Sequence, residues 1–201
     1  MARTRAFDET EAVRKALGVF WSRGYEATSL SDLESTTGLN RSSLYQAFES
    51  KRGLFSRAVA LYLQEVITPR LAVFAKGPAG LAQVTAYFDS LATTMGTAPP
   101  SLTRRGCLLV NTATELAPHD AEAHRAVEDY RALLQGHLTR ALEAAARAGV
   151  MPRKTVARRV ELLLGAVIGV LVTARVDPLA AAKLARAAAS EVEDWAHPDG
   201  A

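Results

Sequence analysis

Apolar residues recur at spacings of three and four along almost the whole chain, and the strict alternation typical of strands is absent. The first such stretch places Val13, Leu17 and Phe20 on one helical face. Glycines and prolines interrupt the pattern where helices would end or begin. Because 49% of the residues are hydrophobic and 22% are charged, the chain can bury a globular core. We therefore predict an all-α fold.

The first sixty residues predict four helices from their capping residues. Asp8 and Glu11 have the spacing of a capping pair that opens a first helix. Serine and asparagine oxygens accept the free N–H groups of a first turn, and glycine permits the left-handed conformation that ends many helices. In chain order the further signals are Gly24 as a stop, Ser29 or Ser31 as a cap, Gly38 as a stop, Asn40 as a cap, and Ser50 as the cap of a fourth helix beginning near Lys51. Two short helices joined by a tight turn and packed on a longer one form a helix-turn-helix unit.

Longer helices follow, each separated from the next by glycine or proline. The candidates are 54–75, 80–95, 101–116, 120–148, 153–175 and 178–196. We expect a helix-turn-helix domain in residues 1–53 and a larger helical domain in residues 54–201. Because the chain has no Gly-rich phosphate loop and no Gly-x-Ser-x-Gly elbow, we expect no enzyme activity. A helical enzyme that carries an N-terminal helix-turn-helix is the alternative.

The third predicted helix carries residue types that can read DNA. With Leu44 and Phe48 turned to the core, its exposed side offers Arg41, Ser42, Tyr45 and Gln46. Arginine can read guanine, glutamine can read adenine, and serine or tyrosine can bond phosphate. Residues 40–57 hold four cations and one anion, so the chain's whole net charge of +3 could lie on this face. A solvated basic helix, or a surface for an acidic protein, would carry the same charge.

Residues 7–57 resemble the DNA-binding domain of the TetR family of bacterial repressors. The matching text is FWSRGYEATSLSDLESTTGLNRSSLYQAFESKRGLF, with Gly-Tyr closing the first helix and Leu-Tyr-x-x-Phe-x-Ser-Lys after the turn. The resemblance implies a homodimer that binds a palindrome in double-stranded DNA and responds to a small-molecule effector. It implies phosphate contacts by Thr28 and Ser29, major-groove contacts by Arg41, Ser42 and Ser43, backbone contacts by Tyr45 and Lys51, and a part in sequence choice for Gln46.

Two features near this unit need separate comment. Gly53 departs from the acidic or alanine residue usual in the family, and it should weaken the first turn of the fourth helix by ~1 kcal/mol relative to alanine. Arg3 and Arg5 precede the first helix, where a basic arm could reach the minor groove. A disordered start of the chain is the alternative for these two arginines.

The stretch Leu162–Ala174 is predicted to form a helix that is apolar all round and therefore buried on most sides. Gly165 and Gly169 would let another helix approach closely, with Val192 and Trp195 of the last helix as the opposite surface. A core helix within one chain is the alternative. Because TetR-like proteins dimerise through their last two long helices, the resemblance favours a dimer interface at these four residues.

Cys107 is the only cysteine, so the chain cannot form an internal disulfide. Arg104 and Arg105 precede it near the start of a predicted helix, and both the helix dipole and the cations favour a thiolate. The Gly-Cys-Leu sequence is similar to a branch of TetR-like repressors in which this cysteine senses electrophiles or oxidants. A small buried thiol used only for packing is the alternative.

Effector contacts are expected from aromatic and polar residues that interrupt apolar helix faces, in the apolar pocket that the resemblance implies. The candidates are Tyr62, Phe74, Tyr87, Phe88, Asn111, Glu115, Tyr130 and His137. Four possible metal ligands lie between His119 and His124, but a five-residue histidine spacing splays the two rings on a helix. We expect no metal, and the resemblance implies no cofactor.

The N-terminus has no apolar run after its arginines, and a single cysteine fits a reducing compartment. The stretch Leu162–Ala174 is well short of the ~20 residues that cross a bilayer. We expect a soluble cytoplasmic protein without a membrane partner.

Overall fold

The computed structural model describes residues 7–196, and every regular element in this range is helical. The prediction of an all-α fold is confirmed. The proposed basic arm at Arg3 and Arg5 lies outside the described residues. The helices are α1 (Glu9–Arg23), α2 (Leu30–Thr37), α3 (Arg41–Phe48), α4 (Lys51–Tyr62), α5 (Thr68–Leu71), α6 (Leu81–Thr97), α7 (Pro100–Thr103), α8 (Leu108–Glu115), α9 (Ala121–Arg147), α10 (Val156–Thr173) and α11 (Pro178–Asp194), with a π segment at Leu63–Ile67 and 3-10 turns at Ala72–Ala75 and Arg153–Thr155.

The caps predicted for the N-terminal helices are present. Asp8 accepts a hydrogen bond from the backbone N–H of Glu11 at 3.1 Å and so opens α1. Of the two serines predicted as the cap of α2, Ser29 is the N-cap, and it forms a reciprocal capping box with Asp32. The residues predicted to face inward are buried: Val13, Leu17, Phe20, Leu33, Leu44 and Phe48.

The turn between α3 and α4 is unusually tight. The N–H of Ser50 donates to the carbonyl of Phe48 at 2.7 Å, two residues back, which forces Glu49 to a φ of +65°. The Ser50 hydroxyl caps α4 by accepting from the N–H of Gly53 at 2.9 Å. A Cβ at Gly53 would lie far inside van der Waals contact of the Phe48 carbonyl oxygen. Gly53 is therefore required by the turn. From the sequence we predicted only that Gly53 weakens the first turn of α4, and that prediction overlooked the close approach of the Phe48 carbonyl.

α4 continues past Tyr62 into the π segment and α5, so the helix predicted over 54–75 is confirmed with one widened turn. Pro69 has no N–H to donate and its ring crowds the preceding turn. The hydroxyl of Thr68 donates to the carbonyl of Leu63 at 2.9 Å inside the widened turn. Such π turns are uncommon and local, and the apolar spacing alone does not reveal them.

The run Lys51–Ala75 is also long and apolar enough to span a bilayer by length and composition alone. A third of its most apolar window is buried in the protein, and its first part packs against α1. A core helix of a soluble protein passes the same test. The absence of a membrane partner stays a prediction.

The single helix predicted over 101–116 is wrong. The chain forms a short α7, turns at residues 104–107, and restarts as α8. Gly106 adopts a φ of +64°, and a Cβ there would lie 3.0 Å from the carbonyl oxygen of Leu171 in α10. The break thus comes from a close tertiary approach as well as from a local glycine.

α11 packs along α6, and α10 lies against α9 and α11. One hydrophobic core runs from α1 through α4 into these longer helices. The proposed domain boundary after residue 53 falls in the first turn of α4, which packs against both α1 and α8. The division into two domains stays a prediction, and the described contacts show that the two parts meet over a packed surface.

α10 is not buried on most sides within one chain. Its inner face is in the core, but Leu162 is 62% exposed and Ile168 and Val172 are about half exposed. Ile168 and Val172 are four residues apart and share one side of the helix. The outer face of α10 is therefore an apolar surface that its own chain leaves uncovered.

Candidate nucleic-acid interface and effector cavity

The turn between α2 and α3 holds the two short helices at a fixed angle. Gly38 ends α2 in the left-handed conformation, at a φ of +76°. Asn40 then caps α3 by accepting from the N–H of Ser43 at 2.8 Å. Leu44 and Phe48 anchor α3 in the core. Its outer side presents Arg41, Ser42, Tyr45 and Gln46, all four exposed as predicted.

Arg41 is the cation among these four side chains, so it is the one most strongly attracted to an acidic surface. Its side chain is 62% exposed, and its guanidinium lies 4.0 Å from the carboxylate of Glu34 in α2. An exposed ion pair at that distance contributes little and can open. Arg41 is therefore free to point its fork of donors away from the protein, as guanine recognition requires.

Lys51, the first residue of α4, makes a cation–π contact close to α3. Its ammonium lies 4.3 Å above the ring centroid of Tyr25, which packs against Phe20 and Phe55 at 6.0 and 5.0 Å. A cation over the face of an aromatic ring is attracted by the negative charge of that face. This places a fixed positive charge at the N-terminus of α4, where an anion is also favoured by the helix dipole.

The prediction that Thr28 contacts phosphate is wrong for its side chain. Thr28 is fully buried (0% exposed), and its hydroxyl donates to the carbonyl of Gly24 at 2.6 Å. Ser29 is exposed, but its hydroxyl is committed to Asp32 in the capping box. Ser43 is half-buried at the first turn of α3, with its N–H bound to Asn40.

The sequence predicts Arg52 on the basic face formed by residues 40–57, but in the structure its side chain pairs with acidic residues. Its guanidinium binds the carboxylate of Asp120 at 2.7 and 2.8 Å, and Glu122 lies 3.5 Å away. Asp120 also caps α9 through the N–H of Ala123 at 2.7 Å. The contact joins residues 68 positions apart, so no local pattern could have predicted it.

The run between His119 and His124 therefore has structural roles. Two of its carboxylates, Asp120 and Glu122, pair with Arg52, and His124 lies 3.3 Å from Glu128. Within residues 7–196 no three histidine, cysteine or acidic side chains are grouped as a metal site.

Two further contacts fasten the N-terminal unit to α8. The indole N–H of Trp21 donates to the carbonyl of Gly106 at 3.1 Å. The carboxylate of Glu115 accepts the backbone N–H groups of Tyr25 at 3.1 Å and Glu26 at 2.8 Å. Glu115 was expected in an effector pocket. It lies instead between the two parts of the chain.

A cavity of about 180 Å³ lies between α8, α9 and α10. Its lining residues are Leu109, Val110, Ala113, Thr114, Val127, Tyr130, Arg131, Leu134, Leu164, Val167, Ile168, Leu171 and Val172. Two of its three polar members have partners elsewhere, since the Thr114 hydroxyl donates to the Asn111 carbonyl and Arg131 pairs with Glu161, and the third is Tyr130. The surface offered to an occupant is thus apolar.

Of the predicted effector residues only Tyr130 lines this cavity. Tyr62 and Phe88 are buried core residues. Asn111 lies in a separate cleft next to the N-terminal unit, where its amide donates to the carbonyl of Arg105 at 3.0 Å. Burial raises the pKa of Tyr130, and the neighbouring Tyr87 raises it further, so the phenol stays neutral at physiological pH.

Cys107 occupies the N-cap position of α8 without a capping hydrogen bond from its side chain, and it is 1% exposed. Its thiol lies next to Tyr62, whose pKa is raised well above its ordinary value by burial first and by Cys107 second. Arg105 turns away to the ring of Trp21, with its guanidinium carbon 5.7 Å from the centroid. A reagent can therefore reach the thiol only when the packing around α8 opens.

The four residues predicted for the dimer interface lie in different environments. Gly165 is exposed with open space around it. Val192 is fully buried (0% exposed) in its own chain's core, so its assignment to the interface is wrong. A Cβ at Gly169 would lie 3.5 Å from Leu184 of the same chain. Trp195 is half-buried and its indole N–H donates to Glu191 at 2.9 Å.

Two protein-family models match this chain. The one described as bacterial regulatory proteins of the tetR family matches residues 12–58, and the tetracyclin repressor-like C-terminal domain matches residues 80–189. Among curated proteins, the chain is 28% identical over 195 residues to the HTH-type transcriptional repressor ComR of Escherichia coli, across 96% of this chain and 91% of that protein. It is 34% identical over 131 residues to the uncharacterized HTH-type transcriptional regulator YezE of Bacillus subtilis, across 64% of each.

A similar solved structure is a cysteine mutant of the TetR family transcriptional regulator CifR, complexed with 26-bp double-strand operator DNA. It matches with a TM-score of 0.79 at 27% identity, over 94% of this chain and 98% of the other. The match covers both the N-terminal unit and the longer helices.

Proposed function

The chain belongs to the TetR family of bacterial regulatory proteins, and we propose that it represses transcription by binding a palindromic operator as a homodimer that a small molecule releases. As a family member it is a DNA-binding transcriptional regulator and not an enzyme. The single observation that carries the proposal is the exposed outer side of α3, which presents Arg41, Gln46 and Tyr45, with Tyr45 close to Lys51.

On this proposal α3 enters the major groove. Arg41 reads guanine and Gln46 reads adenine at the base edges. Ser42 and Tyr45 form hydrogen bonds with groups that line the groove or with phosphate oxygens. Lys51 binds a backbone phosphate at the N-terminus of α4. With Thr28 buried and Arg52 paired to Asp120, these two residues take no part through their side chains.

The dimer is proposed to form on the outer face of α10 and the start of α11. The exposed apolar side chains there are Leu162, Val176, Leu179 and Leu184, and Gly165 has open space around it. Ile168 and Val172 are also exposed, but they line the cavity between α8, α9 and α10 and so lie where the interface and the cavity meet. Exposed apolar side chains on two helices that pack together are typical of a protein interface. A two-fold dimer presents two copies of α3 to half-sites about one helical turn (~34 Å) apart.

The effector is proposed to occupy the cavity between α8, α9 and α10. Its apolar walls suit an uncharged, hydrophobic small molecule, because a charged ligand would lose its hydration without gaining a partner. Release follows if the ligand prefers a dimer conformation in which the two α3 helices no longer match the half-sites.

A covalent input through Cys107 is the second route to release. The thiol would add to an electrophilic carbon–carbon double bond, forming one S–C bond while its proton ends on the adjacent carbon, and no oxidant is consumed. The buried position of Cys107 means that the adduct cannot be accommodated without moving α8. The support for this route is the position of the thiol at the start of the helix that lines the cavity.

The protein needs no cofactor for this function, and its site of action is proposed to be the cytoplasm, where the bacterial chromosome lies. The test is selection of bound sequences from fragmented genomic or randomised duplexes with the purified full chain. Enrichment of one inverted repeat supports the proposal. Binding without any sequence preference, or binding of acidic proteins in preference to duplex DNA, would contradict it.

A further inference from the structure

The carboxylate of Glu115 reaches out of α8 into the loop between α1 and α2. Its two oxygens accept the N–H groups of Tyr25 and Glu26, at 3.1 and 2.8 Å. Hydrogen bonds to an ionised acceptor are about twice as strong as neutral ones. Among the described residues Glu115 forms no ion pair, and these two amides are its hydrogen-bond partners.

The loop is shaped to receive this carboxylate. Gly24 has a φ of +90°, and a Cβ there would lie 2.7 Å from both oxygens of Glu115. Glycine is thus favoured at this position for its conformation, and the carboxylate lies in the space that a Cβ would fill. Glu115 also lies in the last turn of α8, where the helix dipole disfavours a negative charge. The carboxylate therefore does not serve the stability of its own helix.

The loop connects directly to the proposed DNA contact. Tyr25 carries Lys51 over its ring at 4.3 Å, and the same residue donates its N–H to Glu115. The position of the Lys51 ammonium thus depends on a residue whose backbone is fixed by α8. The sequence separation of 90 residues between Tyr25 and Glu115 makes this a link between the two parts of the chain.

The other side of α8 faces the cavity. Val110, Ala113 and Thr114 are among its lining residues, and Thr114 immediately precedes Glu115. A molecule too large for the cavity would press on α8, which forms one of its three walls. If α8 moved one ångström away from the loop and the Glu115 side chain kept its conformation, both hydrogen bonds would lengthen beyond their useful range.

We propose that Glu115 is a positioning residue, which sets Lys51 for its phosphate contact through Tyr25 and carries the position of α8 into the DNA-binding unit. The inference deepens the proposed function and depends on it. It concerns how operator affinity is set, and it requires no contact between Glu115 and DNA.

The first test measures the loop without DNA. Hydrogen exchange of the peptide covering residues 21–28 is compared between the wild type, Glu115→Ala and Glu115→Gln. We expect exchange of the Tyr25 and Glu26 amides to rise about tenfold in the alanine variant. Asp129→Asn is the matched control, since it removes one negative charge from an exposed site on α9 that makes none of the described hydrogen bonds.

The second test is a double-mutant cycle in operator binding. We expect Glu115→Ala to weaken binding about tenfold in the wild type but about twofold at most in the Lys51→Ala background, because the contact it positions is then already gone. In the Arg41→Ala background the tenfold loss should persist. Glu115→Gln keeps the side-chain volume and turns an NH₂ group toward one of the two amides, so it should act in the same direction if the alanine variant is unstable.

Equal losses from Glu115→Ala in the wild type and in the Lys51→Ala background would overturn the inference. So would unchanged amide exchange, or normal operator affinity in both Glu115 variants. If the wild type itself binds no duplex, the proposed function fails, and that result is distinct from normal wild-type binding with a silent Glu115.

Discussion

The guanidinium of Arg52 in α4 holds the carboxylate of Asp120 at two points, 2.7 and 2.8 Å, while the same carboxylate caps α9. The pair therefore joins α4 to α9, the longest helix among the described residues. Its geometry is the planar two-point match that distinguishes arginine from lysine.

Two substitutions separate the cap from the ion pair. Asp120→Asn keeps a good N-cap oxygen but loses the charge, whereas Asp120→Ala loses both. We expect a loss of about 1 kcal/mol of unfolding free energy for asparagine and about 2 kcal/mol for alanine. Chemical denaturation of the two variants measures this. Equal losses would mean that the cap contributes nothing.

The same carboxylate gives a pH dependence. Arg52 first and the Ala123 amide second hold the pKa of Asp120 well below its ordinary value. Because the pKa is lowered on folding, the stabilisation is fully present above the ordinary aspartate value of about 4 and is lost as the pH falls through the folded-state pKa. The difference in unfolding free energy between wild type and Asp120→Asn should be constant from pH 8 to about 5 and shrink below about 4.

Asp32 should lose its contribution in the same acid range. The Ser29 hydroxyl, the Ser29 N–H and Arg23, in that order, lower the pKa of Asp32 to about 2. Its stabilising effect is thus complete above about pH 4 and disappears toward pH 2. Titration of its carboxylate carbon by NMR would show the midpoint near 2, and a midpoint near 4 would contradict the capping box.

Gly53→Ala should destabilise the protein although alanine is the better helix former. The new Cβ would collide with the Phe48 carbonyl oxygen, and that backbone cannot yield without moving α3. We expect a loss of about 2 kcal/mol or more. Gly136→Ala, in α9 with nothing within 4 Å of the added Cβ, is the matched control and should gain about 0.5–1 kcal/mol.

Glu49→Gly should stabilise the same turn. Glu49 holds a φ of +65°, alone among the non-glycine residues from 7 to 196. Removing its Cβ relieves that conformation, and we expect a gain of about 1 kcal/mol. Glu49→Ala retains the Cβ and should bring no such gain. A thermal melt of both variants distinguishes relief of strain from loss of the charge.

Cys107→Ser should leave operator binding unchanged and abolish release by an electrophile such as N-ethylmaleimide. Mass spectrometry of the treated wild type should show one adduct per chain, formed slowly because the thiol is buried. Equal release of wild type and variant would reduce Cys107 to a packing residue and leave the cavity ligand as the input.

Local sequence signals predicted the N-terminal helices well, because a cap such as Asp8 or a stop such as Gly38 acts on its own turn. The break at Gly106 was missed because the close approach of the Leu171 carbonyl is a tertiary event.

In the candidate site too, local sequence patterns predicted local features but not contacts between distant residues. The exposed side of α3 follows from helical periodicity, but the burial of Val192 and the reach of Glu115 depend on partners far away in the chain. Thr28 was misplaced because a threonine before a cap can point either to solvent or beneath the loop.

The most direct measurement of the central claim is operator affinity across a salt series for wild type, Arg41→Ala and Lys51→Ala, on the selected operator and on a scrambled duplex. Arg41→Ala should lose about 1–3 kcal/mol of preference for the operator and relax one base position per half-site. Lys51→Ala should weaken both duplexes alike and reduce the salt slope by about one per contact. If both variants bind the operator as tightly as the wild type, the outer side of α3 is not the DNA-reading surface.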